Sequence, residues 1–342
     1  MTQTQVKMAA LYDRLTGIGF PKNFIRENAL PDWWDEELET SSGAVVEAAA
    51  YISRRLNLDV LSLLKPDKPP SFKPSCQAKF KTKQGTESKQ LFVAQCMAAR
   101  IAEMVAYAMS RELKPLPKTA QAVRDEILAN QDFVNLEGLL NWCSHYGIPV
   151  VHFDGFPKTS GVHKFHGMVS YFYNRPVVVI SFKCSSAAWL SFILAHELGH
   201  LIKGHVDDTA IIDEEVVPES EDNEEIEANE FAVELLLGKP DMTYYTPRIF
   251  SGEKLADNAR KISVRDRVDP GVVVLNYAWS KANLASLGKE KSIIWATAKK
   301  ALRLIEDNVD APLKINHHLQ KHLDLERLDE DSQDYLELAI GG

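Results

Sequence analysis

The sequence predicts an α+β fold in which a small sheet adjoins one buried helix, with helical regions before and after this core. Between residues 150 and 182 the apolar pattern has a period of two, which indicates strands. Before and after that segment apolar residues recur every three or four positions, which indicates helices. The strands lead directly into residues 187–203, whose first half is apolar on almost every side, so this helix should be buried.

Length and composition are those of an ordinary soluble globular protein. The chain has 342 residues, of which 45% are hydrophobic and 25% are charged, and this length allows two or three domains or one large domain with extensions. We expect a helical N-terminal region over residues 1–115, with a linker rich in lysine and proline near 65–89. A core over residues 116–250 and a helical C-terminal region over residues 251–342 would follow.

Charge and targeting signals narrow the possible partners. The net charge of -9 argues against a generally basic nucleic-acid binder. The N-terminus lacks the apolar segment of a signal peptide, and no apolar run approaches the roughly 20 residues needed to span a bilayer. We therefore expect a cytoplasmic protein without a membrane partner. The cysteines have no Cys-x-x-Cys spacing and are interpreted as free thiols in a reducing compartment; they are Cys76, Cys96, Cys143 and Cys184.

The N-terminal region contains one segment of ambiguous function. Residues 44–64 have a helical apolar pattern, and residues 51–64 resemble the closing half of a helix-turn-helix of the phage-repressor type. The preceding half of such a motif is not evident. A helical packing module is therefore the favoured interpretation, and direct DNA binding is possible but disfavoured.

Three strands are predicted ahead of the buried helix. They cover residues 150–153, 165–173 and 177–182, and the last two should form a hairpin around residues 174–176. His163 and His166 lie at the start of the first hairpin strand. A contact with substrate or metal is conceivable for either histidine, but a surface or strand-end position is the favoured interpretation.

The buried helix carries the sequence His196-Glu197-Leu-Gly-His200. Its histidines are four residues apart, so they lie one turn apart on the same face. Both imidazoles can therefore bind one tetrahedral zinc ion, which leaves Glu197 beside a metal-bound water as general base. Two imidazoles and a carboxylate in an apolar helix are unfavourable unless they have such a partner.

A zinc hydrolase needs a third protein ligand. His205 misses the metzincin spacing and would lie off the ligand face if the helix continued, so it is rejected. The favoured ligand is Glu225 on the next predicted helix, where Asn229 shares its face and could hydrogen-bond a ligand imidazole. Glu227 is the second candidate, and Glu224 is an acid of the kind that helix starts attract anyway.

Several motifs resemble the ImmA/IrrE family of metallopeptidases. The resemblance is carried by Gly147-Ile-Pro-Val-Val, by Val177-Val-Val-Ile-Ser181, by His196-Glu-Leu-Gly-His200 and by the helix from Glu225 to Leu236, and it covers roughly residues 133–240. It implies a zincin-like core and a zinc-dependent endopeptidase. In such proteins the implied substrate is a repressor-type regulatory protein whose cleavage controls mobile-element, phage-defence or stress genes.

Some points stay open at this level. The alternative function is a regulatory or sensing protein that uses a zincin scaffold, or its helical N-terminal region, to bind a partner or DNA with little peptidase activity. The intact Glu197 favours the enzyme. Tyr244, Tyr245 and His205 are equal candidates for stabilising an oxyanion. One of the two hairpin strands should offer an open edge to which an extended peptide could add.

Overall fold

A computed structural model describes residues 7–41, 43–79, 89–159, 165–206, 210–213, 222–285, 288–306 and 310–341. The helices of the N-terminal half are α1 (Met8–Thr16), α2 (Lys22–Asn28), α3 (Ala44–Leu56), α4 (Val60–Leu63), α5 (Pro74–Lys79), α6 (Lys89–Ala108), α7 (Ala120–Leu128) and α8 (Leu136–His145). Those that follow are α9 (Ala187–Lys203), α10 (Asn223–Leu237), α11 (Gly252–Asp266), α12 (Pro270–Leu284), α13 (Gly288–Ile305), α14 (Ala311–Gln320) and α15 (Glu330–Ile340). The strands are β1 (Val150–His152), β2 (Gly167–Phe172), β3 (Arg175–Ile180) and β4 (Ile211–Asp213). The predicted α+β class is therefore confirmed.

The strands form one mixed sheet in the order β1-β3-β2-β4. β1 runs parallel to β3, whereas β2 is antiparallel to both β3 and β4. The predicted hairpin is confirmed, but its turn consists of Tyr173 and Asn174, with φ of 51° and 59°, rather than residues 174–176. Two consecutive positive φ angles are those of a two-residue hairpin turn whose twist matches the twist of the strands.

Both faces of this sheet are buried. Alternate strand residues point to opposite faces, and each face contributes to a different hydrophobic cluster. Val150, Val169, Val178 and Ile180 join the cluster that contains the apolar residues of α9. Val151, Met168, Val177 and Val179 join the cluster formed by the N-terminal helices and by α15. The sheet is thus the layer between the two clusters, and the division into three consecutive units stays a prediction.

The predicted helix over residues 44–64 is wrong in its second half. α3 ends at Leu56 because Asn57 adopts the left-handed conformation, with φ of 61°. Asparagine tolerates that conformation better than most residues do. Asp59 then begins the short α4 by accepting a hydrogen bond from the Ser62 amide. A second helix of four residues offers little surface to a DNA groove, so the geometry adds no support to DNA binding here.

The stretch predicted as a linker includes packed residues. Phe72 and Cys76 are buried in the N-terminal cluster, and Phe72 forms an isolated β-bridge with Leu58. Arg14 donates hydrogen bonds to the carbonyl of Leu63 at 2.9 Å and to that of Lys68. The first part of the stretch is thereby fixed to α1, and residues 80–88 of the predicted linker lie outside the described residues.

The expectation of four free thiols is wrong for two of them. Cys76 and Cys96 form a disulfide with a Cα–Cα distance of 5.8 Å, whereas Cys143 and Cys184 are free. The bond joins α5 to α6 inside the N-terminal cluster. No sequence pattern predicts this pair, because the distance between the two cysteines depends on how the two helices pack.

Helix α6 is apolar enough to resemble a membrane span. Of the described helices, it has the length and composition to cross a bilayer over Leu91–Ala108, although 72% of that window is buried inside the fold. Its buried residues belong to the N-terminal cluster and cover the sheet. The helix is therefore a core helix.

The disulfide leads to a testable prediction. In denaturant without reductant, two thiols per chain should react with a chromogenic thiol reagent, and reduction should raise the number to four. The double substitution Cys76→Ser and Cys96→Ser should lower the free energy of unfolding by about 3 kcal/mol in urea titrations, since the bond closes a loop of 20 residues. Cys184→Ser, which removes a free thiol, is the matched control. Four reactive thiols before reduction would contradict the assignment.

Candidate metal centre

Helix α9 holds the central motif in a buried position. It begins at Ser186, whose side chain accepts a hydrogen bond from the Trp189 amide, and ends at Gly204 in the left-handed conformation. The predicted helix over residues 187–203 is therefore confirmed. The motif's three polar residues, His196, Glu197 and His200, each have 0% of their surface exposed. The hydrophobic cluster around α9 thus excludes bulk water from the side chains that could do chemistry.

Three side chains converge on one point. His196 Nε2 and His200 Nε2 lie 3.1 Å apart, and the Glu225 carboxylate approaches them at 3.4 Å and 3.5 Å. Within the described part of the chain, this is the one group of histidine, cysteine and acidic side chains that could hold a metal ion. The structure therefore brings together the three residues predicted as ligands, although their binding of a metal stays a prediction.

The spacing of these atoms can be compared with that of a zinc site. Bonds of about 2.0–2.2 Å in tetrahedral geometry separate two ligand atoms by about 3.3 Å. The observed separations of 3.1, 3.4 and 3.5 Å are close to this value. Two imidazole nitrogens and one carboxylate oxygen are also a donor set that zinc accepts in hydrolases. The residues therefore fit a zinc ion.

The other nitrogen of each imidazole also has a partner. His196 Nδ1 lies 3.0 Å from Asn229 Oδ1, the residue predicted for this role. An amide oxygen can only accept a hydrogen bond, so His196 Nδ1 carries the proton and its Nε2 offers a lone pair. Such a contact fixes both the tautomer and the orientation of a ligand imidazole.

His200 contacts a residue for which the sequence analysis did not predict an orienting role. His205 Nδ1 lies 3.0 Å from His200 Nδ1, and His205 Nε2 lies 3.2 Å from the Glu227 carboxylate. Neither His205 nor Glu227 belongs to the converging triad. If His200 binds metal through Nε2, its Nδ1 donates to His205, which in turn donates to Glu227. The available signal was Gly204, which ends the helix and lets the chain bring His205 back.

Glu197 lies against the backbone of β2. A Cβ atom added to Gly167 would overlap the Glu197 carboxylate, so only glycine leaves room for that side chain. His166, the neighbouring residue, packs its ring on Phe182 at 4.3 Å between centroids. His163 lies outside the described residues. The backbone of β2 thus defines the space that the predicted general base occupies.

The structure separates the three candidates for oxyanion stabilisation. Tyr244 is buried and its hydroxyl donates to Asp266 at 2.9 Å, and burial together with this carboxylate raises its pKa. Its hydroxyl proton is therefore donated to Asp266 and not to a substrate oxyanion. His205 is engaged with His200, and Tyr245 is exposed, with the Lys281 amine 5.5 Å from its ring centroid.

The two hairpin strands predicted to offer an open edge have different positions in the sheet. β3 lies between β1 and β2, so the prediction of an edge at residues 177–182 is wrong. β2 is covered at Gly167–Val169 by β4, which lies in the acidic stretch before α10. β4 pairs its Asp213 with Gly167, the glycine beside Glu197. The outer strand next to the candidate metal site is therefore β4.

A helix with two histidines beside a small sheet, with the Glu225 carboxylate of a second helix close to both, is consistent with a zincin-like core. Residues 143–274 match the peptidase family model described as the IrrE N-terminal-like domain. The match confirms the resemblance to the ImmA/IrrE family over that part of the chain. No curated protein and no solved structure matches the chain.

The glycine beside Glu197 gives a sharp test of the site. Gly167→Ala should displace the Glu197 carboxylate, so peptide hydrolysis should fall by at least about 100-fold, the range of general-base contributions. Zinc content, measured by mass spectrometry of the purified metal-loaded protein, should stay near that of the wild type. Gly288→Ala is the control, because a Cβ there meets nothing within 4 Å. Unchanged hydrolysis in Gly167→Ala would contradict this position of Glu197.

The contacts around the triad predict an order of zinc affinities. Glu225→Ala should weaken zinc binding most, because it removes a ligand. Asn229→Ala and His205→Ala should each weaken it by about 10-fold to 100-fold, because they release a ligand imidazole. Glu227→Ala should have the smallest effect, since it acts only through His205. Competition with a chromogenic chelator measures the four affinities, and equal values for Glu225→Ala and Glu227→Ala would refute the assignment.

Proposed function

We propose that the protein is a zinc-dependent endopeptidase in which His196, His200 and Glu225 hold the metal. The observation that carries the proposal is the arrangement of the two imidazoles. Both direct Nε2 toward Glu225, while their Nδ1 atoms are engaged by Asn229 and His205. The match to a peptidase family over residues 143–274 supports the same conclusion.

The chemistry is divided between the metal and Glu197. Zinc, when bound, lowers the pKa of a water molecule to about 7 and polarises the scissile carbonyl. Glu197 accepts a proton from the attacking water and delivers it to the amide nitrogen as the C–N bond breaks. Its buried position beside β2 keeps this carboxylate in a defined place and away from bulk water.

The substrate is proposed to bind as an extended strand. β4 is the outer strand on the β2 side of the sheet, and it pairs with Gly167, the β2 residue beside Glu197, so a peptide that adds to β4 would run along the side of the sheet that carries the candidate metal site. Backbone hydrogen bonds of this kind read little side-chain sequence, so selectivity should come from contacts elsewhere on the protein. The resemblance suggests that the substrate is a repressor-type regulatory protein.

The experiment that tests this function compares the wild type with Glu197→Gln. The variant should keep its zinc, since no ligand is lost, and should lose hydrolysis. Both zinc-loaded proteins are incubated with a soluble lysate from the source cells, and newly formed N-termini are identified by mass spectrometry. We expect the wild type to create one or a few cleavage sites, within a regulatory protein, that Glu197→Gln does not create.

Two results would count against the proposal. The first is the absence of any cleavage site that depends on Glu197. The second is rapid and unselective digestion of casein by the full-length wild type, which would contradict selectivity for one regulatory partner.

A further inference from the structure

A cavity of about 490 Å³ lies between α10 and α12, close to the candidate metal site. Its lining includes Phe192 of α9, which lies four residues before His196. Four helical residues span about 6 Å, a distance that two residues of an extended peptide cover. Asn229, which contacts His196, also lines the cavity. The cavity therefore lies about one helical turn from His196, on the side of its Nδ1 atom.

The outer wall of the cavity is fixed by hydrogen bonds to α12. Asn276 donates to the carbonyl of Met242 at 3.0 Å and accepts from the amide of Tyr244 at 2.7 Å. Lys281 donates its amine protons to the carbonyls of residues 246 and 247. The segment after α10 is thus attached to α12 at several points. A wall that is already ordered lowers the entropy lost when a ligand binds.

The lining combines an apolar interior with acidic groups. Its apolar members include Phe192, Val233, Met242, Val272, Trp279 and Leu284. Two exposed acids, Glu230 and Asp241, also belong to the lining. None of the described lining side chains is basic, and the nearby Lys281 amine, 5.5 Å from the ring centroid of the lining residue Tyr245, is hydrogen-bonded to backbone carbonyls. The volume is typical of ligand pockets, and the charge favours a ligand that is apolar at one end and cationic at the other.

We propose that this cavity receives a large apolar side chain of the peptide substrate, while an adjacent basic residue of the same peptide lies against Glu230 and Asp241. The inference rests on the proposed peptidase function and adds a substrate preference to it. An extended chain at the triad would select apolar–basic residue pairs through the cavity, whereas β4 would bind the backbone irrespective of sequence. A protein with a net charge of -9 also favours a basic partner overall.

The test measures binding separately from hydrolysis. Full-length, zinc-loaded Glu197→Gln is titrated calorimetrically with three 12-residue peptides of Gly, Ser and Ala that differ only in a central pair: Phe-Arg, Phe-Glu or Ala-Arg. The Phe-Arg peptide should bind at least about fivefold more tightly than either of the others. The added double change Glu230→Gln and Asp241→Asn should abolish the preference for Arg over Glu and keep the preference for Phe over Ala.

A second variant blocks the cavity itself. Ser280 lines the cavity, so Ser280→Trp in the same background should weaken binding of the Phe-Arg peptide about tenfold. Ser292→Trp, on an exposed position of α13, is the matched control and should leave binding unchanged. If thermal unfolding shows that Ser280→Trp does not fold, Asn283→Trp replaces it, because Asn283 is an exposed residue of the same lining.

The outcomes separate this inference from the proposed function. Equal affinity of the Phe-Arg peptide for Ser280→Trp and for the control Ser292→Trp would overturn the inference. Tighter binding of the Phe-Glu peptide than of the Phe-Arg peptide would also overturn it. Tryptamine, which joins an aromatic ring to an amine, is titrated as a small-molecule probe. Binding of tryptamine without binding of the Phe-Arg peptide would also overturn the inference and would indicate a small-molecule site. The predicted binding pattern, combined with no Glu197-dependent cleavage in the lysate, would support the cavity as a peptide site and refute the peptidase function.

Discussion

The candidate metal site depends on the close contact between α9 and α10. A Cβ atom on Gly199 would lie 2.9 Å from the Ala228 Cα and 3.0 Å from its carbonyl oxygen, so the two backbones meet without a side chain between them. Glu225 precedes Ala228 by three residues, and Asn229 follows it directly. The contact therefore brings a carboxylate and an amide of α10 against the two histidines of α9. With any larger residue at Gly199 the helices would have to separate, and the triad would lose its geometry.

The two imidazoles in this apolar core are stabilised by hydrogen-bond partners on their Nδ1 atoms. Two imidazoles with no exposed surface are unfavourable unless their nitrogen atoms have partners. Asn229 serves one imidazole, and the pair His205 and Glu227 serves the other. The Asn229 amide oxygen fixes the tautomer that leaves His196 Nε2 unprotonated, and His205 can accept a proton from His200 Nδ1 in the corresponding tautomer. Two acids near the start of α10 therefore contribute to the site. Glu225 belongs to the triad, and Glu227 acts indirectly through its contact with His205.

The sequence predicted those features that depend on local spacing. The two histidines of α9 are four residues apart, and Glu225 shares a face with Asn229, so helical geometry alone places them. His205 lies outside the triad, as expected, but its contact with His200 was not predicted because α9 was taken to continue beyond Gly204. The Cys76–Cys96 bond and the pairing of β4 with β2 are contacts between distant segments, and no local period reports them. The break at Asn57 required recognition of a left-handed asparagine inside an otherwise regular helical pattern.

The sheet lies between two hydrophobic clusters, and this position determines which part of the chain can fold on its own. The family match covers residues 143–274, yet one face of its strands packs against α6, which lies outside that range, in a cluster with other N-terminal helices. The N-terminal end of α9 is likewise completed from outside, since Glu306 accepts hydrogen bonds from the Ala188 amide and the Ser186 hydroxyl. Excised alone, the matched segment would present an apolar sheet face to water, a surface prone to aggregation. The stretch that carries the family's signature is thus shorter than an autonomous folding unit, and fusion or truncation boundaries belong outside it.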